Sequence, residues 1–144
     1  MDLHNVLDNV ILFAAQKHYG QRDKSGVPYI LHPIEVMCSV KTIEEKIVAI
    51  CHDLIEDTDA TLDDLRLLNV PEKLIEAIDH ISKREDEKYS EFIERVSEND
   101  ISIKVKVADI ENNTRHDRIE KLDVVVVNRM MRKYERALDV LSDF

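Results

Sequence analysis

His52, Asp53, Glu56 and Asp57 fall close together in the run Cys51-His52-Asp53-Leu54-Ile55-Glu56-Asp57. On a helix His52 and Glu56 lie one turn apart, as do Asp53 and Asp57, so four groups able to ligate a metal or move a proton share one edge. A His–Asp pair alone is more often a solvated acidic helix end. Two further residues turn the pattern toward chemistry. His32, in Tyr29-Ile30-Leu31-His32-Pro33, stands at the end of an irregular stretch and directly before a helix that Pro33 can initiate, so its imidazole can be aimed. Asp109, in Val105-Lys106-Val107-Ala108-Asp109, has apolar neighbours that make a carboxylate expensive unless a metal or a cation compensates it. Two imidazole nitrogens and two carboxylate oxygens make a donor set of borderline-to-hard character, which suits Mn, Fe or Mg with waters completing an octahedron better than structural zinc. His4, His18, His80 and His116 have no partner motif and read as surface or packing residues.

The elements that must position these groups are mostly helical. Leu3, Val6, Leu7, Val10, Ile11 and Ala14 recur at helical spacing, while Gly20, Gly26, Pro28 and Pro33 make residues 19–33 the one long loop. Thr42 with Glu45 has the form of a capping box, and Ile43, Ile47, Ile50, Cys51 and Leu54 predict a helix over 43–56. Thr61 with Asp64 suggests another N-cap, Pro71 opens a segment through Ile81, and Tyr89, Phe92, Ile93 and Val96 fit a short helix. Two places resist. Ile101, Ile103, Val105 and Val107 alternate strictly with polar residues, which by period alone reads as a strand. Val124 to Val127 is β-branched, although the helix-favouring run after it should carry it into a helix. From pattern alone, one β-hairpin stays open.

The 144 residues carry 44% apolar and 35% charged side chains with only two glycines and three prolines, which fits one compact domain and excludes collagen-like or disordered classes. A net charge of −10 argues against nucleic-acid or anionic-membrane binding but leaves room for a small anionic substrate beside locally clustered cations. No apolar run approaches the roughly 20 residues of a membrane span, and the opening MDLHNVLDNVILFAAQ reads as an amphipathic helix rather than a signal peptide. Cys38 and Cys51, without C-x-x-C spacing, read as buried thiols in a reducing compartment, the cytoplasm.

Three ordered segments go further. His18-Tyr19-Gly20-Gln21 with Gly26-Val27-Pro28-Tyr29-Ile30-Leu31-His32-Pro33, then His52-Asp53-Leu54-Ile55-Glu56-Asp57-Thr58, then Val105-Lys106-Val107-Ala108-Asp109 with Asn113, resemble the HD-domain hydrolase module of RelA/SpoT-like proteins and the stand-alone small alarmone hydrolases. The resemblance runs from about Val10 to Ala137. It implies an all-α, single-domain bundle of about six to eight helices over residues 1–144, and therefore a helix rather than a strand over 101–113. It also implies a divalent ion, manganese first with Mg, Fe, Co or Zn as alternatives, on His32, His52, Asp53 and Asp109. Glu56 and Asp57 match the pair that handles the attacking water.

By the same resemblance, substrate contacts fall on Lys24, Ser25, Tyr29, Lys83, Asn113 and Arg115. The loop over 19–31 would close over the substrate, presenting Lys24 to a phosphate and Tyr29 to the base or ribose. Asp23 departs from the pattern, standing where the family usually has an arginine that packs on guanine. The nucleotidyltransferase domain that follows this module in the long bifunctional enzymes is not expected after Phe144. The implied activity is metal-dependent removal of pyrophosphate or phosphate from a small phosphorylated nucleotide, first the 3′-pyrophosphate of guanosine tetra- or pentaphosphate. The alternatives are hydrolysis of another nucleotide, such as a dinucleotide cofactor phosphate, and a non-catalytic metal- and nucleotide-binding module.

Overall fold

A computed structural model describes residues 2–142, so Met1, Asp143 and Phe144, the ends of the expected 1–144 domain, lie outside the described residues. The chain forms α1 Leu3–Lys17, α2 Leu31–Ser39, α3 Ile43–Cys51, α4 Leu54–Asp57, α5 Leu62–Leu67, α6 Glu72–His80, α7 Tyr89–Val96, α8 Asp100–Asn113, α9 His116–Ile119 and α10 Val124–Leu141. Seven of these have eight or more residues. Among the described residues the one β feature is an isolated bridge between Arg22 and Pro28, so neither a strand nor a hairpin forms. No helix among them is long and apolar enough to cross a membrane.

Local chemistry accounts for most of the boundaries. Asp2, Thr42, Asn99 and Asp123 each cap a helix by accepting a backbone N–H. Thr61 and Asp64 complete a full capping box, whereas at Thr42 only half forms, because the Glu45 carboxylate accepts from the Lys41 N–H instead. The loop ends earlier than its prolines suggest. Helix α2 begins at Leu31, with Pro33 in its first turn.

The helix expected over 43–56 is broken in two. At His52 the backbone N–H closes on the Ala49 carbonyl three residues back, and Asp53, at φ −103° and ψ −1°, leaves helical geometry before α4 starts. The break turns His52 and Asp53 inward, toward α2 and α8, rather than leaving them on a solvent-facing edge.

Helix α3 is the centre of the larger core. Five consecutive residues, Ile47 to Cys51, are buried, as befits a helix covered on all sides by α1, α2, α6 and α8. Cys51 is a buried thiol, but Cys38 is exposed, contrary to the expectation for both. The physical reason is position, since Val36 of α2 faces the core and residue 38 falls on the opposite side of the turn.

Helix α8 explains the misleading alternation. Ile101, Val105 and Ala108 pack into the larger core, while Ile103, Val107 and Ile110 pack into a second cluster with Phe92, Ile93, Val96, Ala137 and Leu141. At 100° per residue the two sets lie on opposite faces, so two helical stripes interleave into an apparent period of two. Lys106, Asp109 and Asn113 lie between the stripes on one flank. Helix α10 forms through its cap and its helix-favouring body, because Val124 and Val125 themselves stay exposed.

Arg95 of α7 holds the loop between α6 and α7. Its guanidinium donates to the carbonyls of Asp79 and Ser82, each at 2.8 Å, and takes Glu87 in a two-pronged pair at 2.9 Å. That loop carries Lys83 to the site. We expect Glu87→Gln to cost about 1 kcal/mol near neutral pH, the range of a solvent-screened pair. Arg95 pulls the Glu87 carboxyl down to about 2. The contribution is therefore complete above the ordinary glutamate value of roughly 4.3 and is lost as pH falls through the folded value. Urea melts of both proteins across the acid range check it: the gap should close in acid, and a constant gap would assign the loss to packing.

Candidate active site

The side chains of His32 from α2, His52 from the α3–α4 break and Asp109 from α8 converge with ligand atoms all within 4.8 Å of one another, and all three are buried. The orientation of both imidazoles follows from their outer nitrogens. His32 Nδ1 is 2.7 Å from the Asn112 amide oxygen, and His52 Nδ1 is 2.5 Å from the Ala49 carbonyl. Each Nδ1 is thereby assigned a proton, which turns both Nε2 atoms inward, the arrangement that metal-ligating histidines use once Nε2 gives up its own proton. Asp109 Oδ1 lies 2.7 Å from His32 Nε2 and 3.2 Å from His52 Nε2. Its other oxygen is occupied by the Lys106 ammonium at 2.8 Å.

Asp53 Oδ2 adds a fourth donor, 3.1 Å from His52 Nε2 and 3.7 Å from His32 Nε2. The Tyr29 hydroxyl donates to that same oxygen at 2.6 Å and steadies it. A divalent cation that displaced the protons on the two Nε2 atoms would meet the donors of His32, His52 and Asp109 at one point, with Asp53 beside them.

The electrostatics fit it too. Burial opposes charge at every one of these groups, yet the Lys106 ammonium and the His52 ring hold Asp109 well below the usual carboxylate range. His52 lowers Asp53 in the same way, and the two carboxylates in return raise His52 well above an ordinary histidine. Burial and the neighbouring Asp53 push the Tyr29 hydroxyl up, so it stays a proton donor.

Above these groups opens a cavity of about 430 Å³ lined also by Glu56, Asp57, Lys83, Tyr89, Lys106, Asn113, Lys133 and Tyr134. Glu56 Oε1 accepts the Lys83 backbone N–H at 2.5 Å, and Asp57 Oδ2 lies 3.4 Å from the Tyr29 hydroxyl. Burial raises both carboxyls, with Asp53 adding to the effect, which makes them better proton acceptors than exposed acids. Asn113 donates to Asp109 at 3.2 Å, one turn along α8.

A second cavity of about 290 Å³ adjoins, sharing Tyr29, Asn113 and Tyr134 and lined by Arg22, Lys24, Ser25 and Arg118. Lys24 and Ser25 therefore flank the first cavity rather than line it. Asp23, in the position that departs from the family pattern, has a structural job. Its Oδ1 accepts the N–H groups of Ser25 and Val27, closing a turn whose Gly26 sits at φ +83°, and its Oδ2 lies 3.7 Å from Arg118.

Arg115 is the exception among the expected substrate contacts, for it lines neither cavity. It pairs with Glu35 at 2.8 Å and with Asp117 at 2.7 Å, and Glu35 in turn accepts from Asn112, the partner of His32. Helix α8 ends before it, so its side chain leaves the α8 flank and closes the outer support of His32 instead.

Several site residues escape sequence reasoning. Lys106 had a local signal, the i, i+3 spacing to Asp109. Asn112, Tyr89, Lys133 and Tyr134 had none. His18, expected at the surface or in packing, is buried behind the site: Nδ1 is 2.8 Å from Gln21 Oε1, and Gln21 donates to the Asp57 carbonyl at 3.0 Å. His4, His80 and His116 are not brought to the site.

Comparison with known proteins finds relatives of the chain. The chain is 32% identical over 95% of its length to GTP pyrophosphokinase rsh of Brucella suis biovar 1 (strain 1330), covering 20% of that protein. It is 32% identical over 72% of its length to guanosine-3′,5′-bis(diphosphate) 3′-pyrophosphohydrolase of Aquifex aeolicus (strain VF5), covering 16% of it. It is 35% identical over 65% of its length to the bifunctional (p)ppGpp synthase/hydrolase SpoT of Escherichia coli (strain K12), covering 14% of it. The chain thus spans at most about one fifth of the curated relatives it matches. The solved structure of a metazoan SpoT orthologue that hydrolyses ppGpp shares the fold, with a TM-score of 0.80 at 22% identity over 94% of this chain and 85% of that one. No protein-family model matches the chain.

Proposed function

The chain belongs to the RelA/SpoT-like family of HD-domain proteins, and from that premise we propose that it is a metal-dependent phosphohydrolase removing the 3′-pyrophosphate of guanosine tetra- or pentaphosphate. The observation that carries the reading is the convergence of His32, His52 and Asp109 on one point, beside two carboxylates raised by burial and beneath a cavity walled by lysines. The domain spans residues 1–144. Its resident ion is manganese, held by His32, His52, Asp53 and Asp109, and its free Cys38 and Cys51 suit the cytoplasm.

When bound, the divalent ion supplies Lewis acidity, lowering the pKa of water and screening phosphate charge. Glu56 and Asp57 accept the proton of the attacking water, whose oxygen joins the phosphorus bonded to the ribose 3′ oxygen. The bond from that phosphorus to the 3′ oxygen breaks, and the carboxyl just protonated returns a proton to it. Pyrophosphate leaves together with the nucleoside 5′-diphosphate, or the 5′-triphosphate when the pentaphosphate is the substrate. Lys83 and Lys133 meet the phosphate oxygens, Lys106 keeps Asp109 ionised and aligned, and Tyr29 with Asn113 fixes the carboxylates. Lys24 and Ser25 receive the nucleoside side of the substrate at the adjoining cavity.

One observation favours a second substrate class. Asp23 is tied into its own turn and faces Arg118, so position 23 brings a carboxylate rather than a guanidinium to the adjoining cavity, where the loop's arginine is Arg22, and a dinucleotide cofactor phosphate is the alternative substrate.

The test is release of phosphate and pyrophosphate from a panel of guanine and adenine nucleotides by protein loaded with Mn, Mg, Fe or Co. Glu56→Gln with Asp57→Asn should keep the metal and the fold but lose about 10²- to 10⁴-fold in turnover, the usual worth of general base catalysis. Unchanged turnover would assign the pair to solvation. If the wild-type protein hydrolyses nothing in the panel, the non-catalytic binding module replaces this reading.

A further inference from the structure

We propose that the groove between α7 and α10 is a second binding site, separate from the metal cavity and suited to a nucleoside polyphosphate. It holds about 400 Å³, the scale of a small-molecule pocket rather than a bed for an extended protein segment. One wall is Tyr89, Ile93 and Glu94 of α7. The other is a cationic stripe of α10, Arg129, Arg132, Lys133 and Arg136, at spacings i, i+3, i+4 and i+7, which place all four on one helix face.

This stripe lacks an internal explanation. The chain carries 30 acidic residues against 20 Lys and Arg, yet among the described residues Arg129, Arg132 and Arg136 make no ion pair or hydrogen bond. Arg129 with Lys133, and Arg132 with Arg136, stand four apart and repel. A folded acidic protein that concentrates unpaired arginines around a concavity presents a surface complementary to a compact polyanion, and the planar guanidinium matches phosphate geometry in particular. The floor supplies the other half of the ligand. Ile93, Ala137 and Val140 are apolar, and the Tyr89 ring beside them carries the Lys133 ammonium 4.7 Å from its centroid. A ligand with a flat body and a chain of phosphates meets both halves; an acidic peptide meets only the first.

The groove is not a lobe of the substrate site, since Arg129, Arg132 and Arg136 line neither the metal cavity nor its neighbour. Tyr89 and Lys133 do line both the groove and the metal cavity, so an occupant of one borders the other.

The experiment titrates the metal-loaded chain calorimetrically with adenosine 5′-triphosphate, which has no 3′-phosphate to be removed, and with inorganic tripolyphosphate and hexaglutamate. Because it reads binding alone, its failure is distinct from failure of the hydrolytic reading. We expect the nucleotide to bind more tightly than tripolyphosphate. Arg132→Ala with Arg136→Ala, both exposed positions, should weaken it by about tenfold or more, with metal content and melting temperature unchanged. Equal affinity in the double variant overturns the proposal, because the nucleotide then sits in the metal cavity. So does tripolyphosphate binding as tightly as the nucleotide, which would leave the apolar floor without a role. Displacement by hexaglutamate at comparable concentration would assign the groove to an acidic protein segment, and absence of binding by the wild type would remove the site.

Discussion

His52→Ala empties the metal site and lowers turnover by a thousandfold or more. The expectation rests on geometry: His52 Nε2 is within 3.2 Å of both Asp53 and Asp109, so its loss removes the donor that links the two carboxylates. A metal's charge stabilisation at phosphorus is worth several kcal/mol, and about 4 kcal/mol corresponds to roughly 10³ in rate. Fold is not expected to suffer in proportion, since the α3–α4 break keeps its own backbone closure from His52 N–H to Ala49. Elemental analysis and circular dichroism of the purified variant check both parts. Full metal occupancy would remove His52 from the ligand set. Asn112→Leu is the graded control, because it frees His32 Nδ1 without removing a ligand and should cost about 10- to 100-fold in metal affinity.

Asp109→Ala is expected to do more, destabilising the metal-free protein by about 3–5 kcal/mol. The Lys106 ammonium lies against the Tyr89 and Phe92 rings, and among the described residues Asp109, at 2.8 Å, is its one carboxylate partner. Burial alone would depress Lys106, but Asp109 outweighs it and holds the ammonium well above its ordinary value. Removing the carboxylate leaves a charge without a partner, whereas removing both charges is far cheaper. Lys106→Met in the Asp109→Ala background should therefore restore at least half of the lost stability while leaving the metal site empty. Urea unfolding in chelator, run on wild type, both single variants and the double variant, measures the coupling. A double variant as unstable as Asp109→Ala would mean that Lys106 reaches solvent and that the cost lies elsewhere.

These two experiments separate what was legible in the residues from what was not. The helical cores of α1, α6 and α7 follow from apolar spacing, caps and prolines, because a helix burying one face against one core writes that face into its own sequence. Helix α8 does not, since it buries two faces against two clusters, and the interleaved stripes imitate a strand. Only the resemblance to a helical family argued otherwise from sequence. The break after Cys51 was equally hidden: Leu54 continues the apolar period of α3, so periodicity runs straight through the point where the backbone turns.

The same division holds at the site. Residue type and order nominated His32, His52, Asp53 and Asp109 as candidate metal donors, because donor chemistry is a property of the side chain itself, while the resemblance to the hydrolase family added Glu56 and Asp57 as candidate proton acceptors. What surrounds those groups is a property of packing. That Asn112 orients His32, that Lys106 takes one oxygen of Asp109, that Lys133 and Tyr134 of α10 roof the cavity, and that Arg115 turns away to Glu35 are decided by helices distant in sequence meeting α8. Local spacing and intrinsic chemistry, both written in the residues themselves, account for the candidate donor groups and for most helix-forming segments. The tertiary structure alone decided which cations and amides stand behind those groups, because long-range contacts leave no periodic trace in the chain that makes them.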